Sequence, residues 1–453
     1  MKNKIYSNSP VSVQNLLCSV YGWREKKKRF STSFEHLLFD FKQSQYMPKV
    51  DIVKYQTLKL SEILLSAKCG KLYPDLDGVS HYEIKTDPFE VLGTLPVSDK
   101  TILRPILASS RQKGVKVSTS GTTGMALEFV KDAESIQAQW AIWFRHRSRF
   151  GIDFMDLSVN FTGKPVVEPA SKFPFWRFNA AFNQYLISMK AIHQGSIGSI
   201  VSFLNSIHPR YWSGYPSILS EISRLALSEG LALSNASKPG VIFTGAENVL
   251  DYQRDTIMAW TGATIADQYG LSEGNCNIAT CEFGNYHDDF EFGFIELGDA
   301  IQNSDGSQEG FLIGTGFYSH GMPFIRYKTG DYIVIEPDSF NCQCGRSSTV
   351  VRSINGRIDD YVLTNDGRKV MRFDYLFKNT PQVFQSQIVQ RQLGYVEIHT
   401  VLLGKADIKE YERLVLRNFS TYICSGMKIL FVYPDEIKKS STGKFKAVLN
   451  LLN

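Results

Sequence analysis

Five hydroxyl side chains and two glycines fall within one short stretch, KVSTSGTTGMALEFV from Lys116 to Val130. Consecutive small residues let backbone N–H groups converge on an anion, and serine and threonine hydroxyls add further donors, so the chemistry such a loop suits is the holding of phosphate oxygens. No Gly-Lys-Ser/Thr follows at the spacing of a Walker-type loop. The flanks VKVS and ALEFV predict a strand, a loop and a second strand, not a strand running into a helix. Read alone, the stretch also fits a polar linker.

Five further segments carry residue types of the same chemistry. TGAENVL (Thr244 to Leu250) and DQYGLSEGN (Asp267 to Asn275) each end an apolar, strand-like run, the place where ligands gather in open α/β sheets. Tyr269 offers a flat face to a purine, the Gly245-Ala246 backbone can approach the other face, and Glu273 offers a hard oxygen suited to Mg²⁺. In RYKTGD, Asp331 follows a glycine turn and can accept hydrogen bonds from both hydroxyls of a ribose. In NGRIDDYV, Arg357 can reach phosphate or ribose and Asp359 sits at a change of sequence character. SSTGKFKAV presents Lys444 from a glycine-containing loop near the C-terminus. Each segment by itself is also compatible with an ordinary turn or tail.

A separate set has the composition of a metal centre. Cys281 and His287 flank the Gly-Asn turn of CEFGNYH, and Cys342 and Cys344 form the knuckle of CQCGR. Three thiolates and one imidazole are the ligand set of a closed, structural Zn²⁺ site with no position left for catalysis. Buried inert thiols are the other reading, and Cys276 is a substitute ligand. Cys18, Cys69 and Cys424 stand outside any motif.

The elements that must position these residues read as α/β. At 453 residues the chain exceeds the usual size of one domain. Residues 1–90 are mainly helical, with FEHLLFDFKQSQ and YQTLKLSEILLSAKCGKLY at helical spacing, and Pro96 punctuates the entry to the next region. From Val115 to about Gly356 strand-like runs (LSVNFTG, YWSGY, VIFTG, ATIADQYG, FGFIEL, GFLIGTGF) alternate with helices such as DAESIQAQWAIWFRHRSRFG and SIGSIVSFLNSI. Beyond Asp359 a compact pattern follows: helix-like FDYLFKNT, strand-like YVEIHTVLL, the helix ADIKEYERLVLRNF and the strand KILFVYP. The expected division is therefore 1–358, with 1–90 helical, and 359–453.

Composition narrows the partners. A net charge of +5 with one short basic run, Arg24 to Arg29, is no nucleic-acid footprint, and that run reads as a solvated face. No apolar run approaches a membrane span and no secretory leader is evident, which places the protein in the cytoplasm. Seven cysteines do not suggest a disulfide framework. Trp140, Phe144, Trp212, Tyr215 and Tyr269 could line an aromatic pocket, although such residues are more often core.

Taken in order, STSGTTG, GAE, YGLSE, YKTGD, GRIDD and TGK resemble the signatures of the adenylate-forming enzyme superfamily over nearly the whole chain, in particular its phenylacetate-coenzyme A ligase-like branch, which includes members encoded with capsular-polysaccharide genes. The resemblance implies a large N-terminal domain and a small, mobile α+β C-terminal domain. It implies ATP-dependent activation of a small-molecule carboxylic acid as its acyl-adenylate, then acyl transfer to coenzyme A. It further implies that Ser118, Thr119, Ser120, Gly121, Thr122, Thr123 and Gly124 wrap the β- and γ-phosphates, that Glu273 helps hold Mg²⁺, and that Asp331 grips the ribose. Gly245, Ala246, Glu247 and Tyr269, with Asp267, Gly270 and Ser272 in the same segments, would line the nucleotide and acyl pocket. Arg357 would support the nucleotide, Asp359 would be the hinge, and Lys444, Glu273 and Thr122 would form the catalytic set. Similar Cys and His positions occur in some members of that branch. Two departures are Ser272, where many members carry Thr, and Lys444-Phe445-Lys446 in place of Lys-x-x-Arg. An amine, a sugar or a carrier protein as acceptor, a non-catalytic nucleotide-binding partner, and a homodimer are left open.

Overall fold

The computed structural model describes residues 6–109, 113–118, 127–163, 166–167, 173–357, 361–367, 369–370, 373, 376–377, 380, 383–402, 406–438 and 445–452. Along the chain, helices α1 (Val11–Arg29), α2 (Thr32–Ser44), α3 (Lys49–Cys69), α4 (His81–Thr86), α5 (Pro88–Thr94) and α6 (Lys100–Ser109) come first. Their boundaries follow local chemistry. Ser80 and Glu83 form a reciprocal capping box at α4, and Asp87 caps α5 with Pro88 in the first turn, where a missing N–H costs nothing. Leu60, Ile63, Leu64 and Ala67 of α3, at helical spacing, are fully buried.

The phosphate-loop flanks form the expected hairpin: β1 (Val115–Ser118) pairs antiparallel with β2 (Glu128–Lys131), Ser118 opposite Glu128. Then come α7 (Ala133–Arg149), β3 (Ser158–Thr162), β4 (Trp176–Asn179), β5 (Gln184–Ser188), α8 (Gln194–Leu204), β6 (Tyr211–Gly214), α9 (Pro216–Ser228), β7 (Val241–Gly245), α10 (Asp251–Thr261) and β8 (Thr264–Gly270). They are followed by β9 (Asn277–Thr280), β10 (Tyr286–Asp288), β11 (Gly293–Gln302), β12 (Gln308–Gly316), β13 (Tyr327–Ile335) and β14 (Val350–Arg357). The last elements are β15 (Val362–Leu363), β16 (Lys369–Val370), β17 (Val383–Gln392), β18 (Tyr395–Leu402), α11 (Ile408–Tyr422), β19 (Lys428–Val432) and β20 (Val448–Asn450). Of the eight residues of FDYLFKNT, expected as a helix, four lie outside the described residues and the other four are turn or irregular; Phe373 and Leu376 are joined there by a turn bond and buried.

By internal contacts the chain forms two compact units, one of Met1–Val20, Met155–Ile265 and Asn355–Asn453, the other of Tyr21–Phe154 and Ala266–Ile354. In the first, β7, β6, β3 and β5 run parallel in that order with β4 antiparallel at the edge. α8, α9 and α10 bury Ile197, Ile200, Ile218, Ile222 and Ile257 against this sheet's Val159, Phe161, Trp212 and Ile242. A parallel sheet needs crossover helices, which is why its strands read as near-continuous apolar runs. In the same unit β19, β18, β17 and β20 form a four-stranded sheet covered by α11, whose Tyr411, Val415 and Phe419 are buried.

The second unit packs the N-terminal helices and α7 around one apolar cluster, in which Phe30, Phe34, Phe144 and Phe154 meet edge to face or tilted. Its strands follow the order β11, β12, β13, β14, β10, β9 and β8. Cys276, Ile278, Leu312, Ile333 and Val351 form a second apolar cluster between them. Phe144 is buried in the first core with Trp140 packed against it, and Trp212 is buried in the core of the other unit with Tyr215 packed against it. The basic run is only partly a solvated face: Lys27 and Lys28 are exposed, but the Arg29 guanidinium stacks 4.5 Å from the Trp140 ring and pairs with Glu25 at 2.9 Å. Among the described residues no helix is long and apolar enough to cross a membrane.

Candidate active site and metal centre

β8 ends at Gly270, and the turn that follows, with Gly274 at φ +72°, carries Glu273 back into the protein. Glu273 is buried, and the Tyr327 hydroxyl donates to its Oε1 at 3.0 Å. Lys131, the last residue of β2, is buried nearby and donates to Gln139 Oε1 at 2.8 Å. Burial pushes its ammonium down to about 8, and the Glu273 and Asp132 charges oppose that shift. A carboxylate held rigid beside a buried cation has the donor chemistry of a divalent-metal ligand.

From β8 the Tyr269 hydroxyl donates to Oδ2 of Asp331 on β13 at 2.6 Å, and the Asp331 amide donates to Thr329 Oγ1 at 3.0 Å. Burial, then the Asp331 charge, raises the Tyr269 phenol well above its ordinary value, so it remains a donor. Tyr269 is therefore a ring tethered through its hydroxyl to the carboxylate expected to bind ribose. Asp267 is occupied differently: its Oδ2 accepts the Tyr286 hydroxyl at 2.6 Å. Ser272 is exposed between Leu271 and Glu273.

In the other unit, β7 delivers Gly245, and Ala246 takes φ +65°, a left-handed conformation that costs a non-glycine residue about 1 kcal/mol or more and is kept where the surroundings demand it. The turn directs Glu247 to two backbone N–H groups, of Ser217 at 3.1 Å and Phe445 at 2.9 Å. Ser118 closes β1 and Arg357 closes β14. Thr119, Ser120, Gly121, Thr122, Thr123, Gly124, Asp359 and Lys444 lie outside the described residues.

Cys281, His287, Cys342 and Cys344 converge, their ligand atoms all within 4.8 Å of one another. Cys281 follows β9 and His287 lies on β10, joined by a turn through Gly284 at φ +83°; the Cys342 knuckle is closed by the Gly345 amide donating to the Cys342 carbonyl at 3.1 Å. The Cys281 and Cys342 sulfurs are 3.7 Å apart, far beyond an S–S bond of about 2 Å and close to the roughly 3.8 Å that two sulfurs about 2.3 Å from a tetrahedral zinc would show. Cys344 Sγ lies 3.3 Å from His287 Nε2, and the other ring nitrogen meets Ser348 Oγ at 3.3 Å, an outer partner that fixes the ring. Burial, then Arg346 and Arg149, pushes His287 down to about 2, leaving a neutral imidazole able to ligate. Burial would raise the Cys342 thiol, but bonds from Cys344, Asn285 and Cys281 hold it below its ordinary value, whereas burial lifts Cys281 to about 11. The donor set fits Zn²⁺. Cys276 is not part of it; the thiol sits in the apolar cluster with Ile278 and Leu312.

Sequence reading missed the buried polar scaffold beside these sites. Arg145 of α7 pairs with Asp289 and Glu291, and Asn277 accepts from Trp143 and donates to Asp289. The only signal was the density of ionisable residues in FRHRSR, read as a helix, and in DDFE, which followed the metal motif and was assigned to none.

Residues 362–451 match the family described as the CapK C-terminal domain. The whole chain is 24% identical to Protein CapK of Staphylococcus aureus over 462 residues, covering 99% of each. The fold is similar to that of 2-hydroxyisobutyryl-CoA ligase in the postadenylation state in complex with R3-HIB-AMP, at TM-score 0.69 and 18% identity over 90% of this chain and 91% of that one. An open conformation of the same ligase with 2-HIB-AMP and CoA gives TM-score 0.54 over 89% and 92%. The fold is that of the adenylate-forming ligases, with a helical N-terminal region and a smaller α+β C-terminal part.

Proposed function

We propose that the protein is an ATP-dependent ligase that converts a small carboxylic acid to its acyl-adenylate with release of pyrophosphate, and then transfers the acyl group, with coenzyme A as acceptor. What carries the reading is the coincidence of a fold shared over 90% of the chain with an acyl-AMP-bound ligase and six motifs in superfamily order, two of which the structure joins through the Tyr269–Asp331 bond. The substrate carboxylate attacks the α-phosphorus in line and pyrophosphate departs, so charge gathers on phosphate oxygens and catalysis rests on positioning and electrostatic stabilisation. Ser118 to Gly124 hold the outgoing phosphates, Thr122 among them. Asp331 orients the ribose, Tyr269 with Gly245 and Ala246 flanks the base, and Arg357 supports the nucleotide. Glu273 would hold Mg²⁺, which neutralises charge on the triphosphate when bound. Lys444 neutralises the oxygen charge of the first half-reaction and is withdrawn by rotation about Asp359, within a mobile domain of 359–453, before the acceptor thiol attacks the acyl carbonyl and expels AMP.

Cys281, His287, Cys342 and Cys344 would hold a structural Zn²⁺ with every position filled by protein. A second reading keeps the adenylation step and passes the acyl group to an amine, a sugar or a carrier protein in surface-polysaccharide or secondary-metabolite synthesis. ATP–pyrophosphate exchange over aryl, fatty, amino and sugar acids tests the adenylation step. Trapping with hydroxylamine, compared with coenzyme A and candidate amines, separates the acceptors. Background exchange across the panel despite measurable ATP binding would instead indicate a nucleotide-binding partner without catalysis.

A further inference from the structure

The carboxylate of Glu247 is engaged through both oxygens. Oε2 accepts the Ser217 amide at 3.1 Å and Oε1 accepts the Phe445 amide at 2.9 Å, all three residues lying in one compact unit. The Ser217 end is structural in origin. Ser217 lies in the first turn of α9, where N–H groups lack partners within the helix; Tyr215 at the cap position makes no side-chain bond to it and Pro216 has no N–H. A carboxylate from the end of β7 thus takes the place of the missing cap, at the positive end of the helix.

The Phe445 end has no such structural need. Just beyond it the chain is already secured to the small sheet: Gln387 Nε2 donates to the Lys446 carbonyl at 2.9 Å, the Ile388 amide donates to the Ala447 carbonyl at 2.8 Å, and β20 runs parallel to β17. The Phe445 amide is the first described group after Lys444, and the peptide bond that carries it is the one joining those two residues. A bond at this point restrains the backbone at residue 445, next in sequence to Lys444, while any residue there other than proline would supply the donor. Burial, then the Glu247 charge, raises the phenols of Tyr215 and Tyr252, as expected beside an ionised carboxylate.

We propose that Glu247, besides bordering the nucleotide pocket, is a positioning residue of the adenylation step: seated on the α9 N-terminus, its carboxylate clamps the Phe445 amide and fixes the backbone exit to Lys444. This rests on the ligase reading above. The clamp is a single charge-assisted hydrogen bond, strong enough to bias one arrangement and weak enough to be released within a catalytic cycle.

Two measurements on the full-length protein decide it. Amide hydrogen exchange requires no knowledge of the acid. In Glu247→Ala the Phe445 amide should exchange about tenfold faster or more, the scale of losing a hydrogen bond to a charged group, while the Ile388 amide is unchanged. Glu247→Gln, neutral but keeping a carbonyl acceptor and the parent shape, should fall between. Unaltered Phe445 exchange in Glu247→Ala overturns the clamp. With the acid that the wild-type protein activates best in pyrophosphate exchange, Glu247→Ala should lower kcat for adenylation about tenfold, a larger loss than in thioester formation from supplied acyl-adenylate, and Glu247→Gln should recover part of it. Equal loss in both half-reactions overturns the positioning role. A wild-type protein inactive on every acid overturns the ligase reading, and the exchange data still decide the clamp.

Discussion

Replacing Lys131 by methionine probes the charge balance beside Glu273. The side chain is buried, its Nζ meets Gln139 Oε1 at 2.8 Å, and burial lowers its pKa from 10.5 to about 8 despite Glu273 and Asp132. That gap corresponds to roughly 3 kcal/mol at about 1.4 kcal/mol per unit. The sign follows from proton counting: between pH 8 and 10.5 the unfolded chain keeps the Lys131 proton that the folded chain has released, so wild-type stability rises with pH across this window. Below it the full penalty of a buried ammonium is present. Methionine carries no such penalty, so the stability advantage of Lys131→Met over wild type should shrink by about 3 kcal/mol between pH 7 and 10.5, whatever constant packing difference the substitution adds. Urea unfolding at pH 7, 8, 9 and 10 without divalent cations, followed through amide exchange of β2, reads the difference. A difference that stays flat with pH would refute the reasoning. With Glu273→Gln as background, the lower edge of the window should move to lower pH while the upper edge stays, because a charge that raises the folded Lys131 pKa has gone.

Protein purified without added metal should contain about one equivalent of zinc per chain, and Cys342→Ala should lose it. A hundredfold weaker site removes about 2.7 kcal/mol of linked stability, or roughly 5–10 °C for a unit of about 200 residues, and a variant with undiminished metal would retire the site. Asp331→Asn should raise KM for ATP about tenfold or more through loss of a charged acceptor, Tyr269→Phe by less; unchanged nucleotide titrations in both would remove the ribose role. Lys444→Ala should abolish adenylate formation while sparing thioester formation from supplied acyl-adenylate, and equal losses would count against delivery of this lysine from the C-terminal part.

Periodicity and turn residues made most of the fold legible. VKVS and ALEFV are short apolar flanks of a polar loop, and they pair in register as β1 and β2. VIFTG and YWSGY are continuous apolar runs because parallel strands are covered on both faces, and they are β7 and β6 of that kind. The metal set was legible because cysteine and histidine offer few other ways to satisfy a tight Gly-turn spacing, and the four donors converge. What stayed hidden depends on distant pairing. Nothing local to Arg145 announces Asp289, nor does Lys131 announce Glu273, more than a hundred residues away. Glu247 belongs to a motif, yet its side chain engages Ser217 and Phe445, which spacing alone does not reveal. Arg29 was misjudged because a basic run was treated as one face, although a helix turns successive residues to different sides.

The Tyr269–Asp331 bond constrains the shape of the sheet that carries it. Tyr269 lies on β8 and Asp331 on β13, and between them in the sheet stand β9, β10 and β14. Four strand steps in a flat sheet separate the outer backbones by about 19 Å at about 4.8 Å per step. A tyrosine and an aspartate joined by a bond of 2.6 Å span no more than about 12 Å. The strands from β8 to β13 must therefore curl, with Tyr269 and Asp331 on the concave side. The apolar cluster agrees, because Tyr269 packs there with Ile278 of β9, Leu312 of β12, Ile333 of β13 and Val351 of β14. Beyond β13, Gly293 of β11 and Gly316 of β12 let those strands approach the turn after β8, since a Cβ there would meet the Asn275 and Gly274 carbonyl oxygens at 2.2 and 2.6 Å. Arg145 and Trp143 of α7 then lock β9 and the chain after β10 from outside, through Asp289, Glu291 and Asn277. Two side chains that sequence places 62 residues apart are thus brought into contact by strand curvature.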